Sequence, residues 1–405
     1  MKVLVINSGS SSLKYQLIET DDGSLLCKGC FERINEQGSF FEHQVLGGEL
    51  ITRELDLPNH SVAVSRLFDN LIDPKIGAVK SLKEIEAIGH RVVHGGEVFS
   101  GSVIANAENI TEVEKLSHLA PLHNPANIAG VKECVKRFAG VPNVMVFDTA
   151  FHSTMPKSAF LYGLPLEDYT QHKIRRYGFH GTSHNYVARK AAEMAGKNIK
   201  DLKIITCHIG NGGSIAAIDG GKSVETSMGV TPLEGLIMGT RSGDIDPAIV
   251  ELLCKNRNMS VSDCIKYLNK KSGILGLTNG VTNDMRDLMK IRTSNPNAQT
   301  AVDCFIHRIT KYIGAYIAVM NGVDIIVWTG GVGNNDEYVR RHVMKNFAYI
   351  GANIDHEKND KLNGTPGYKN TTMDITAKGS KVKIYVICTN EELEIATETE
   401  NLVNK

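Results

Sequence analysis

No apolar run in this chain is long enough to cross a bilayer, which argues against a membrane-spanning helix. Net charge is missing too. Lys and Arg number 45, Asp and Glu number 45, and no basic tract stands out, so nothing marks a nucleic-acid surface. The first residues, MKVLVINS, turn polar before an h-region can form, so they do not read as a signal peptide. Cys27 and Cys30 form one CxxC, with no second pair near it among the eight cysteines. A four-ligand zinc site would need that pair or suitably placed histidines, so buried, reduced thiols in a cytoplasmic protein are expected. Neither G-x-x-x-x-G-K-[ST] nor G-x-G-x-x-G occurs, which excludes a P-loop enzyme and the usual dinucleotide fingerprint.

What remains is an ordinary globular composition, 42% hydrophobic and 22% charged over 405 residues. That length exceeds what one core usually serves, so two domains are expected. Strands are read at Val3–Asn7, Tyr15–Glu19, Val144–Phe147, Lys203–His208, Ile215–Ile218, Asp324–Trp328 and Lys383–Ile387, and Ile88–Val93 is apolar around Gly89, His90 and Arg91. Helices are read at Ser61–Leu71, Asn124–Phe138, His184–Met194, Ala298–Met320, Glu337–Asn346 and Asn390–Thr399. This is an α/β rhythm, with a second unit beginning around residues 150–155. The polar stretch Glu357–Lys381 reads as surface loops.

Three polar, glycine-rich turns interrupt these strands: NSGSSS (Asn7–Ser12), HIGNGGS (His208–Ser214) and TGGVGNND (Thr329–Asp336). Each could be a plain turn. Each could also be a nest of backbone N–H groups that cradles a phosphate. VLVINSGSSSLKYQLI and KIITCHIGNGGSIAAI share one plan of strand, glycine turn and strand, which suggests two similar folds. Three such turns together favour a phosphorylated nucleotide. Four further stretches carry charge in apolar or glycine-rich settings: GHRVVHGGE around Arg91, FDTAFH around Asp148, RYGFHGTSH around His180, and GTRSGDIDP around Arg241. An arginine in such a setting needs an anion to offset desolvation. A structural salt bridge would serve, and so would a transferring phosphoryl group with its charge spread over three oxygens. Asp148 could cap a turn, orient an attacking oxygen or help hold a metal.

These segments, with PLHNP (Pro121–Pro125), RRYGFHGTSH, TSMGVTPLEGLIMGTRSGDIDP, TGGVGNN and TNEEL, closely resemble the acetate kinases along essentially the whole chain. The resemblance implies two actin-like (ribonuclease H-like) α/β domains with mixed central sheets flanking a deep interdomain cleft. The first would be residues 1–150, completed by about 388–405; the second, 151–387, would bind nucleotide and form a homodimer. The implied reaction is reversible, magnesium-dependent, in-line phosphoryl transfer between ATP and acetate, giving acetyl phosphate and ADP; manganese could substitute. A propionate or other short-chain acyl kinase is the nearest alternative, and a nucleotide-gated binding or scaffold module a more distant one.

By the same resemblance Asn7 and Glu391 would hold magnesium, and Lys14, Ser10 and Ser12 would face the phosphates. Arg91 and Arg241 would clamp acetate and the phosphoryl group, His180 would donate to its oxygens, and Asp148 matches an essential aspartate. Val93, Leu122, Phe179 and Pro232 would surround the acetate methyl. Since a CH₂ is worth only about 0.8 kcal/mol, longer acids would be rejected by steric exclusion. His208, Ile209, Gly210, Asn211 and Gly212, then Asp284, Met285 and Arg286, then Gly331, Val332, Gly333, Asn334 and Asn335 would contact the nucleotide. Two departures are visible: Asn334 stands where Glu is usual, and Ser8 where Ala is frequent. The first would bear on the base or ribose environment.

Overall fold

The computed structural model describes every residue except Leu122. The chain divides into two compact units, Met1–Ser153 with Asn390–Lys405, and Thr154–Thr389.

The first unit is built on β1 (Lys2–Ser8), β2 (Ser12–Glu19), β3 (Ser24–Glu32), β4 (Phe40–Val45), β5 (Ile51–Glu54), β6 (Ala87–Val92), β7 (Val103–Ile104) and β8 (Asn143–Phe147). They form one mixed sheet in the order β5-β4-β3-β2-β1-β6-β8-β7. β1, β6 and β8 run parallel, and β2 to β5 pair antiparallel beside them. Alternation divides the side chains between two faces. Leu4 and Ile6 of β1 pack with Val64, Leu67 and Leu71 of the His60–Ile72 helix. Its Asn59 N-cap accepts from the Val62 N–H at 3.0 Å. Val3, Val5, Ala87, Val144 and Val146 face the other way, onto Ile395 and Ala396 of the Glu391–Val403 helix. That helix comes so close that a Cβ on Gly89 would lie 2.5 Å from the Thr399 hydroxyl, so the glycine of GHRVV is a packing requirement.

The second unit carries β9 (Lys203–Ile209), β10 (Gly213–Asp219), β11 (Lys222–Thr226), β12 (Ile325–Thr329), β13 (Met373–Asp374) and β14 (Lys383–Val386), in the order β11-β10-β9-β12-β14-β13. An antiparallel hairpin, β9–β10, is followed by parallel β12 and β14. The first unit has the same inner plan in β1–β2, β6 and β8, so the sequence echo is structural. The Pro296–Val319 helix packs on one face through Ala301, Val302, Phe305 and Ile309. The Gly181–Ala195 helix lies against β9 and β12.

Three local expectations change. The serine knot is half strand: β1 runs through Asn7 and Ser8, β2 starts at Ser12, and the loop closes where the Gly9 N–H donates to the Ser12 carbonyl at 2.8 Å. TGGVGNN is not an open turn, because Gly330–Asn335 forms a short helix. Residues 357–381 are not all surface loop. They include most of the His356–Lys361 helix, capped by Asp355, as well as β13. Leu362 and Ile375 are fully buried there and anchor a segment whose composition is otherwise polar. All eight cysteines are free, four of them buried. No helix among the described residues is long and apolar enough to cross a membrane.

Candidate active site

In the first unit the parallel strands aim three polar side chains to one place. Asn7 continues the face of Val3 and Val5, Arg91 that of Ala87 and Gly89, and Asp148 that of Val144 and Val146. All three stand at the carboxyl ends of adjacent strands, where open α/β sheets place ligands. Asp148 is buried. Arg91 grips it with two bonds, Nε to Oδ1 at 3.0 Å and the guanidinium NH₂ to Oδ2 at 2.6 Å. The Asp148 charge drives the Arg91 pKa further above its usual value.

The Glu391–Val403 helix covers this face and brings Glu391, its first residue, to the pair. Desolvation raises the Glu391 pKa; the Arg91 charge opposes the rise and the Asp148 charge adds to it. Glu392 is raised likewise by desolvation. Lys14, opposite Asn7 in the β1–β2 register, is exposed, and its charge acts on Glu392. Ser10 is exposed at the loop tip and Ser12 half-buried. Ser8 points to the opposite face, against Gly130.

An amide and a carboxyl, with Asp148 nearby, are oxygen donors of the kind magnesium takes. No group of three His, Cys, Asp or Glu able to hold a metal exists among the described residues. Hard cations such as magnesium take oxygen ligands of this kind.

Asn124 and Asn127 were not singled out in the sequence. Both are buried on the Asn124–Arg137 helix. Asn127 accepts from the Val93 N–H at 3.1 Å and donates to the Ser8 carbonyl at 2.5 Å. Asn124 accepts from the His94 N–H at 3.1 Å and donates to the His94 carbonyl at 2.9 Å. They fix the backbone beyond Arg91, and Val93 with it. Their signal was an amide pair on a buried helical face. Leu122 lies outside the described residues.

In the second unit His180 caps the Gly181–Ala195 helix in the left-handed region, φ 56°. Its Nδ1 lies 2.9 Å from the Ser214 hydroxyl, which also lies 2.7 Å from His184 Nε2. His184 Nδ1 reaches the Thr206 hydroxyl at 2.7 Å. The His208 ring stacks on His180 at 4.3 Å, with its Nδ1 2.8 Å from the Ser183 hydroxyl. His208 thus orients His180. Phe179, just before it, is buried.

Arg241 contrasts with Arg91. Its guanidinium donates to the Pro232 carbonyl at 3.2 Å and lies 3.7 Å from the Met238 sulfur. No carboxylate pairs with it among the described residues, and burial lowers its pKa. A Cβ on Gly212 would be 3.5 Å from it, so it stands beside the β9–β10 turn. Its loop is fixed from below. Glu234 accepts from Arg176 and from the Tyr162 hydroxyl, both at 2.5 Å, and Arg308 donates to the Gly235 carbonyl at 2.8 Å.

The two glycine turns of this unit meet. A Cβ on Gly330 would lie 2.7 Å from the Ile209 carbonyl oxygen, and Gly330 itself has φ +80°, so only glycine fits. A cavity of about 900 Å³ opens beside them, within the size range of small-molecule and cofactor sites. Gly210, Asn211, Asp284, Met285, Arg286, Gly331, Val332 and Asn335 line it. His208, Ile209, Gly212, Gly333 and Asn334 are not on its wall. Asn334 is buried and donates to the Cys388 sulfur at 3.3 Å, so its departure from Glu does not alter the cavity lining directly. The wall also includes Gly239, Ile274 and Met289, and the segment Asn363–Asn370, which the sequence did not mark.

The Acetokinase family pattern matches residues 2–397. The chain is 51% identical over 404 residues to the acetate kinase of Acetivibrio thermocellus, covering 100% of this chain and 99% of that one. It is similar to the crystal structure of Porphyromonas gingivalis acetate kinase, with a TM-score of 0.94, 44% identity and 99% of each chain covered. It is also similar to a propionate kinase from Francisella tularensis subsp. tularensis, with a TM-score of 0.90, 41% identity and 99% of each covered. With the match running nearly end to end, the chain belongs to the acetokinase family.

Proposed function

We propose that this protein catalyses reversible, magnesium-dependent phosphoryl transfer between ATP and acetate, giving acetyl phosphate and ADP. The observation that carries the reading is Arg241, a half-buried guanidinium without an anionic partner, set beside Gly212 of a glycine turn whose Gly210 and Asn211 line a cavity of nucleotide size. A partly desolvated cation without a counter-charge is costly, and a phosphoryl group is an anion that would relieve it.

The second unit would hold ATP in the cavity, with its phosphates toward Gly210–Gly212 and Gly331. Arg241 and His180 would stabilise charge on the transferring group. The first unit would take the acid through Arg91, with the acetate methyl toward buried Val93. Asn7 and Glu391 would hold magnesium, which neutralises phosphate charge when bound. Lys14, Ser10 and Ser12 would face the phosphoryl end. Asp148 acts as a positioning residue. Both its oxygens accept from Arg91, so it is poorly placed to attack phosphorus, and acetate, already ionised at neutral pH, needs no strong base. This placement of Asp148 supports direct in-line transfer. A homodimer through the second unit rests on the family resemblance, with exposed Leu252, Val261 and Ile265 as candidate contact residues, and the free thiols suit a reducing cytoplasm.

A propionate preference is the second reading, because the Francisella propionate kinase shares the fold at 41% identity. Initial rates on acetate, propionate and butyrate decide between them. Acetate is expected to have the highest kcat/KM, with a fall at each added CH₂. A maximum at propionate or butyrate would reassign the substrate.

A further inference from the structure

One wall of the cavity comes from a stretch without a recognisable motif, KLNGTPGYKN (Lys361–Asn370). Asn363, Gly364, Thr365, Lys369 and Asn370 line the space. Two fastenings hold this stretch to the Gly330–Asn335 helix. The inner one is Arg340, fully buried. It donates to the Gly333 carbonyl at 2.8 Å, to Asn359 Oδ1 at 2.8 Å, and to the Asn359 and Leu362 carbonyls at 3.1 and 2.7 Å. None of these partners is a carboxylate, and burial pulls its pKa down to about 10. A whole arginine buried among carbonyls is an expensive way to fill a core. What it does here is tie the glycine-rich helix to the chain leading into the wall.

The outer fastening is a reciprocal pair. Asn335 donates its amide to Asn370 Oδ1 at 3.0 Å, and the Asn370 N–H donates back to Asn335 Oδ1 at 3.0 Å. Asn335 also donates to the Gly331 carbonyl at 2.9 Å. Gly364 approaches so closely that a Cβ there would lie 3.2 Å from that of Asn335. The cavity is thereby differentiated. Glycine backbone lies at the Gly210 and Gly331 end, apolar Ile274, Met285 and Met289 line another part, and the fastened polar segment adds a further side. Phosphates suit the first; a flat heterocycle and its ribose suit the other two.

We infer that Asn363–Asn370 recognises the nucleoside half of a bound nucleoside di- or triphosphate, with Arg340 as the residue that positions it. The inference rests on the nucleotide reading of the cavity given above. The test is calorimetric titration of the full-length protein with ADP and, separately, with pyrophosphate, which has no nucleoside. Asn370→Ala and Lys369→Ala, both at the surface, should each weaken ADP about ten-fold, the loss of a single good hydrogen bond, and leave pyrophosphate within about two-fold. Arg340→Lys should raise KM for ATP while leaving KM for acetate unchanged, a split that general destabilisation would not produce. If ADP and pyrophosphate weaken alike, or ADP binding is unaffected by both surface changes, the inference is overturned. If the unmodified protein binds pyrophosphate but not ADP, the nucleotide reading falls with it.

Discussion

Arg91 and Arg241 carry the same charge in different company, and that difference separates their expected behaviour. Arg91 holds buried Asp148 with two bonds, so Arg91→Ala strands a carboxylate and should cost about 3–5 kcal/mol in urea unfolding along with activity. Arg241 has no carboxylate to strand. Arg241→Ala should abolish transfer, keep ADP affinity within several-fold, and leave unfolding stability unchanged or slightly raised. Normal turnover in that variant would discredit its assignment to the phosphoryl group. In the sequence the two arginines look alike, each in an apolar or glycine-rich stretch that calls for an anion. What distinguishes them is a partner 57 residues along the chain, and only the parallel registration of β6 and β8 brings it to Arg91. Asn124 and Asn127 were illegible for a similar reason. Their carbonyl and N–H partners belong to other elements, so the amide pair on a buried helical face signals a bonded role without naming the partners.

At the scale of elements, strands and long helices were readable because burial leaves a period in the sequence. The Pro296–Val319 helix and the β12 run IIVWT are examples. Residues 357–381 were not readable, because two isolated buried residues, Leu362 and Ile375, anchor the segment without forming a pattern. A connected element is open to a direct test. Asp336 caps the Glu337–Met344 helix by accepting from the Val339 N–H at 2.9 Å. Burial raises its pKa from 3.8 to about 6. The folded state therefore holds this proton more tightly than the unfolded chain does. The group's contribution to stability is complete below about pH 4 and is lost as pH rises through 6. Asp336→Asn keeps a good cap and removes the titration. Relative to the unmodified protein it should gain stability between pH 4 and 7, about 3 kcal/mol, and hold that gain above pH 7. Parallel unfolding curves across that range would show that Asp336 is not held protonated by burial.

For the whole molecule, the recurring plan of hairpin followed by parallel strands was visible in VLVINSGSSSLKYQLI and KIITCHIGNGGSIAAI. Periodicity alone could not show that a helix near residue 390 belongs with strands near residue 5, since nothing local records a pairing across so much chain. Assembly beyond one chain rests on the family resemblance. Sedimentation should give about twice 44.3 kDa, and Leu252→Asp with Ile265→Lys should shift the mass toward a single copy. A single-chain mass for the unmodified protein would remove the homodimer from the proposal.

The placement of the Glu391–Val403 helix on β1, β6 and β8 also governs how the protein is born. β1 is made long before that helix, and the face carrying Val3, Val5, Ala87, Val144 and Val146 lacks the cover of Ile395 and Ala396 until the helix emerges. The second unit holds its own strands and covering helices within Thr154–Thr389, so it can complete its core earlier. Folding order would then reverse translation order. Until the last helix docks, the nascent first unit exposes a sticky valine-rich sheet of the kind that chaperones bind. Docking of that one helix both seals the sheet and delivers Glu391 to the Arg91–Asp148 pair, so a chain cut short before it would lose the cover of the sheet and the carboxyl beside that pair at the same stroke.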